Sequence, residues 1–100
     1  FTALYVDARN RLLARETVSV GTLTASLVHP REVFAPALAH RAAAAVVVHN
    51  HPSGDPSPSA EDREVTRRLV RAGILLGVEI LDHLVVADNG YYSFKEHQLL

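Results

Sequence analysis

His49 and His51 stand two residues apart in the segment VVVHNHPSGDPSPSAED, which ends on Asp62. In extended chain the side chains at i and i+2 share a face, so both imidazoles can converge on one ion while Asn50 points away. After the loop folds back, Asp62 is the natural third ligand. Two neutral nitrogens and one anionic oxygen suit zinc and leave a fourth tetrahedral position for water. Zinc lowers the pKa of such a water from about 15.7 to about 7, which makes hydroxide available to attack a carbonyl polarised by the same ion. A plainer reading exists for part of the pattern. Ser59-Ala60-Glu61-Asp62 also has the form of a capping box, in which Ser59 and Asp62 satisfy free amides at a helix start. Cap and ligand are then competing roles for Asp62.

Several elements must hold these groups. Alternation at Ala3, Tyr5 and Asp7, a turn at residues 8–11 and a β-branched run over residues 12–20 predict an antiparallel hairpin. Gly21 breaks that run, and residues 22–28 continue extended until His29-Pro30. There a helix begins, with Val33, Phe34, Ala37 and Leu38 at helical spacing; Pro30 suits its first turn and Pro36 disturbs it. The unbroken apolar run of residues 42–48 predicts a central strand buried on both faces. Ser59 opens a long helix with Val65, Leu69, Ala72 and Leu76 on one stripe, and Gly77 stops it. A strand over residues 78–86, an Asn-Gly turn and a return over residues 91–94 complete an α/β sandwich with a mixed sheet. The loop after the carboxyl end of the central strand is where ligand sites form in open α/β sheets.

At 100 residues the chain is one domain, residues 1–100. Its 48% apolar against 21% charged residues fit a globular protein, and no apolar run reaches the roughly 20 residues of a membrane span. It begins on FTALYV with neither Met nor a secretory leader, so it reads as a domain cut from a longer chain with a cytoplasmic setting as the default. The absence of cysteine excludes disulfides, thiolate ligands and thiol catalysis. A net charge of -1 offers no broad attraction to a polyanion, and the local cluster Arg63, Arg67, Arg68 and Arg71 sits beside Glu61 and Glu64 as a solvated helix face would. Charge therefore does not support a nucleic-acid partner.

The residues His49, His51, Ser59 and Asp62 reproduce every fixed position of the JAMM (MPN-type) metalloprotease motif H-x-H-x7-S-x-x-D. HNHPSGDPSPSAED, the upstream GT and HPREVF, and the downstream LDHLVV and YSF resemble bacterial RadC-like proteins over essentially the whole chain. The resemblance implies a three-layer-like, cytidine-deaminase-like α/β sandwich. It implies zinc held by His49, His51 and Asp62, with Ser59 bonding near the water and stabilising an oxyanion. It also implies hydrolysis of peptide or isopeptide bonds in a peptide or protein substrate.

JAMM enzymes use an upstream glutamate as general acid/base, which by spacing falls close to or before Phe1. Within the chain the upstream carboxylates are Asp7, Glu16 and Glu32. Glu16 lies mid-strand, Glu32 near a helix start where the dipole already favours a carboxylate; neither matches the family position, so a base upstream of Phe1 is favoured and Glu32 is kept as the secondary candidate. Asp82 and His83 are read either as a carboxylate and imidazole that orient a ligand or as a structural pair at a strand end, Thr66 as bonding Asp62 or capping a local carbonyl, and His29, His40 and His97 as surface residues. The rival readings are weaker chemically. HNH nucleases disperse their motif residues over a ββα unit, and zinc deaminases need H-x-E and P-C-x-x-C, which a cysteine-free chain lacks. The alternative function is a non-enzymatic, metal-bearing scaffold linked to DNA repair or recombination.

Overall fold

A computed structural model describes residues 1–18, 28–52 and 54–100. The expected break at Gly21, the extended residues 22–27 and the end of the second extended run lie outside the described residues. Among the described residues seven elements succeed one another: β1 (Thr2–Val6), β2 (Leu12–Thr17), α1 (Pro30–Ala39), β3 (Ala44–Asn50), α2 (Ala60–Leu76), β4 (Glu79–Ala87) and β5 (Gly90–Ser93). They form one mixed α/β sheet in the order β2-β1-β3-β4-β5. The β3–β4 pair is parallel and the other pairs are antiparallel, so the mixed sheet with a hairpin at each end is as expected.

Both helices lie on one sheet face. Tyr5, Ala45, Val47 and Ile80 point to it and join Val33, Phe34, Ala37, Val65 and Leu69 in a single apolar core. The buried Tyr5 hydroxyl donates to the Val33 carbonyl, tying α1 to β1. Leu4, Val46, Val48 and Leu84 face the other way and are half-buried. The central strand β3 therefore alternates instead of being buried on both faces, because among the described residues no helix covers its far side. Any third layer lies outside the described residues.

Local chemistry explains the element ends. Pro30 occupies the first turn of α1, where its missing N–H costs nothing, and Pro36 sits inside the helix at the cost of one backbone bond. Gly77 closes α2 in the left-handed region at φ 73°. Between Ala45 and Val46 the β3–β4 register slips, Ala45 pairing with Ile80 but Val46 with Asp82. The extra residue is a β-bulge, which re-aims the side chains beyond it. Ile80 and His83, three apart, consequently face the same core.

Gly73 on α2 is packed against the turn at the helix end. A Cβ there would stand 2.3 Å from the Val78 carbonyl oxygen, which is backbone and cannot swing away. Gly73→Ala is expected to destabilise the fold by about 2–3 kcal/mol through this overlap, lowering Tm by roughly 10–20 °C for a domain of this size. Differential scanning calorimetry reads it directly; a Tm within about 2 °C of wild type would refute the packing described.

Candidate metal centre

The site forms where β3 hands over to the loop before α2. His49 is the last inward-facing residue of β3, and the His51 amide donates to the Val86 carbonyl at 2.8 Å, extending the pairing by one step. The His51 ring is oriented from behind. Its Nδ1 lies 2.9 Å from the Asp55 carbonyl and donates to it, which presents Nε2 toward Asp62 at 2.9 Å. Asp55 in turn accepts the Ser57 amide on its own side chain, an Asx turn that shapes the loop. Asn89 donates to the Gly54 carbonyl at 3.3 Å and pins the loop to the β4–β5 hairpin.

Asp62 enters from the first turn of α2. Ser59 is the N-cap: its Oγ accepts the Asp62 amide at 3.1 Å, and Asp62 Oδ2 accepts the Ser59 amide at 2.7 Å. The capping box is real, yet cap and ligand do not compete. Oδ2 does the capping, whereas Oδ1 is buried with no hydrogen-bond partner among the described residues and lies 4.0 Å from His49 Nε2. Ser59 Oγ acts as cap by accepting, so its own proton remains available to donate.

The electrostatics point the same way. The Asp62 carboxylate is 0% exposed, an expensive place for an anion without a cation. Burial, ahead of the neighbouring charges, holds His49 below the usual imidazole range, which favours the neutral ring that a metal needs. Because His51 Nδ1 donates to Asp55, its Nε2 either carries a second proton toward Asp62 or turns a lone pair toward the Asp62 carboxylate. A shared cation resolves the second arrangement. One ligand atom each from His49, His51 and Asp62 lie within 4.8 Å of one another, and these three residues could hold a metal ion. Ligand atoms of a tetrahedral zinc, ~2.0–2.1 Å from the ion, stand about 3.3 Å apart, so side-chain adjustments of about an ångström suffice.

The other residues of interest are distributed unevenly. Glu32 is exposed at the start of α1, 3.5 Å from Arg31, and its neighbour Val33 bonds Tyr5, four residues down β1 from the Phe1 ring that lies 6.4 Å from His49. No hydrogen bond or ion pair among the described residues joins Glu32 to the centre. Asp7 is engaged with Arg9 and Arg11 in its own turn. Glu16, passed over in the sequence, pairs with Ala3, and Ala3 pairs with Val47, so it shares the helix-covered face with His49. Consistent with that placement, burial first and Glu16 second push Tyr5 up to about 12.

Asp82 does not orient a ligand imidazole. It accepts from the His83 and Lys95 amides and the Ser93 hydroxyl, tying the turn after β5 to β4. His83 meets Thr66 instead, and Thr66 bonds the Asp62 carbonyl at 2.9 Å, the local cap expected of it. His29 and His40 are exposed, and His97 stacks on Tyr92 at 4.0 Å. The Asp55 carbonyl was missed in the sequence; Asp-Pro-Ser after the histidines is the turn signature that could have found it.

A model of the RadC-like JAB domain matches residues 1–99. The chain belongs to the RadC-like JAB domain family. Similar proteins include the UPF0758 proteins of Symbiobacterium thermophilum, 59% identical over the whole chain, and of Trichlorobacter lovleyi, 54% identical over the whole chain. That of Methanosarcina mazei is 55% identical over 96% of the chain. The match takes up 43%, 44% and 42% of these proteins respectively, so the chain spans less than half their length. No helix among the described residues of this RadC-like domain is long and apolar enough to cross a membrane.

Burial pushes His83 down to about 4 from its ordinary 6.5, against the smaller opposing pull of Asp62. The unfolded chain therefore holds the extra proton between these values, and the stability present above pH 6.5 is lost as pH falls toward 4. At pH 4.5 the loss is about 2.5 kcal/mol. In urea titrations wild type should lose about that much more than His83→Leu on going from pH 7.5 to 4.5. Equal losses would show that the ring is not held neutral.

Proposed function

We propose that this domain is a zinc-dependent hydrolase that cleaves peptide or isopeptide bonds in a protein substrate. The observation that carries the reading is the division of labour within Asp62: one oxygen caps α2 while the other is buried and bare beside two imidazoles. A helix cap alone needs neither histidine, and a buried carboxylate left half-satisfied is costly. Zinc, held by His49, His51 and Asp62, would supply a Lewis acid for the scissile carbonyl and a water ionisable near neutral pH.

The chain's own groups do the rest. Asp55 holds the His51 ring in the tautomer that turns Nε2 inward. Ser59, its Oγ already fixed by the Asp62 amide, has its proton free to donate to the oxygen that becomes negative as the carbonyl is attacked. Of the carboxylates upstream of the histidines, Glu16, exposed on the edge strand two strands from β3 but on the same sheet face as His49, is the proton carrier we favour; it would take the water's proton and return it to the leaving amine. The substrate is a protein or peptide, and no surface charge favours nucleic acid.

Elemental analysis of the purified chain should give about one zinc per molecule, falling sharply in His51→Ala and in Asp62→Asn. Hydrolysis of quenched-fluorescent peptides and of an Nε-linked lysine isopeptide should be lost in both. Glu16→Gln should keep its zinc while kcat falls about 10²–10⁴-fold. A full complement of zinc with no hydrolysis of either probe supports instead the non-enzymatic, metal-bearing scaffold, in which DNA repair or recombination would be the setting. No zinc after reconstitution rejects both.

A further inference from the structure

Two buried side-chain atoms have no hydrogen-bond partner among the described residues, Asp62 Oδ1 and His83 Nε2. The first belongs to the metal centre; the second belongs to a residue that the proposed chemistry leaves idle. We infer that His83 is a positioning residue for the metal centre: through Thr66 it locks the first turn of α2 to β4 and so fixes where Asp62 stands relative to His49. The inference rests on the metal site proposed above.

Thr66 Oγ1 lies 2.9 Å from the Asp62 carbonyl oxygen and 2.5 Å from His83 Nδ1. A hydroxyl has one proton to give. Given to the Asp62 carbonyl, it leaves Oγ1 to accept from an Nδ1–H, and carbonyl, hydroxyl and ring nitrogen are all satisfied. Given to Nδ1, it deprives the carbonyl of that bond and leaves an Nε2–H donor stranded in the core. The first arrangement is the better one and defines the tautomer of His83.

The ring cannot drift from this position. It is 0% exposed, stacks on Phe94 at 4.6 Å and 9°, and meets the edge of Phe1 at 5.7 Å. Phe1 also lies against His49, so one aromatic ring touches both imidazoles. His83 pairs in register with Val47, two residues before His49 on the neighbouring strand. The line His83–Thr66–Asp62 thus references the carboxylate to the strand pair that carries the first imidazole. Ligand sets need placement to within about 0.5 Å, and partners one bond removed from the ligands typically cost 10–100-fold in metal affinity when lost.

The test measures zinc affinity by competition with a chromogenic chelator in wild type, Thr66→Val, Thr66→Ser, His83→Leu and the Thr66→Val/His83→Leu double variant. It also measures amide hydrogen exchange at Ser59 and Asp62 in the metal-free chain. Thr66→Val and His83→Leu should each weaken zinc about 10–100-fold, the double variant by little more than the worse single one, and Thr66→Ser should restore wild-type affinity. Exchange at Ser59 and Asp62 should quicken about tenfold in Thr66→Val. Zinc affinity within about twofold of wild type in both single variants, whatever their Tm, overturns the inference. Should wild type take up no zinc, the proposed metal site fails and the exchange data decide alone: unchanged protection in Thr66→Val refutes the lock.

Discussion

A carboxylate taken fully out of water must find partners for both of its oxygens, and Asp62 finds them for one. Oδ2 accepts the Ser59 amide and faces His51; Oδ1 has none among the described residues. Several features of the site can be derived from that imbalance. The capping box places the carboxylate at the positive end of α2, where the helix dipole eases its burial. That relief is on the order of 1 kcal/mol, against several for an anion in a low-dielectric interior. The two imidazoles alone do not close the gap unless one is protonated, and burial works against protonation of His49. A divalent ion would close it, held by donors of the kind that zinc accepts.

The sheet is what makes the imbalance useful. The order β2-β1-β3-β4-β5 sets β3 between an antiparallel and a parallel neighbour, so its carboxyl end opens toward the helix that must return overhead. The bulge opposite Ala45 rotates β4 by one residue, turning His83 inward and Asp82 away. Asp82 is then released to hold the turn after β5, and His83 is placed under α2. A regular strand would have put Ile80 and Asp82 on the same face, with a carboxylate in the core and the imidazole on the far side. Bulges beside functional sites commonly re-aim a side chain in this way.

Period and punctuation made much of this legible. The His-x-His spacing, the Ser59 cap, the Gly77 stop and the Asn-Gly turn each have a local cause, and each appears where its residues are. Relations that depend on pairing were not legible. Glu16 and Glu32 look alike as upstream carboxylates, and what separates them is that β2 folds back beside β1 with Glu16 opposite Ala3. The apolar run before His49 suggested burial on both faces because composition does not reveal whether a second layer covers Val46 and Val48. The pairing of Asp82 with His83 suggested a shared role, which the bulge divides. The competition between cap and ligand was posed per residue, whereas the carboxylate caps through one oxygen and leaves the other for a ligand role.

Whether the ion would build the fold or only occupy it depends on where the apolar mass lies. The core from Ala3 and Tyr5 through Phe34, Val47, Val65 and Leu69 is a contiguous apolar cluster. The loop that carries His51 is likewise organised by protein contacts: His51 to Val86, Gly54 to Asn89, Asp55 to Ser57, with Pro52, Pro56 and Pro58 limiting the unfolded chain. Its ordering entropy is therefore spent during folding and not on ion capture. Such a centre differs physically from small zinc domains, in which binding free energy is folding free energy. Here the metal-free chain would fold with its ligands held near their places, the bare Asp62 oxygen being the cost of leaving them empty.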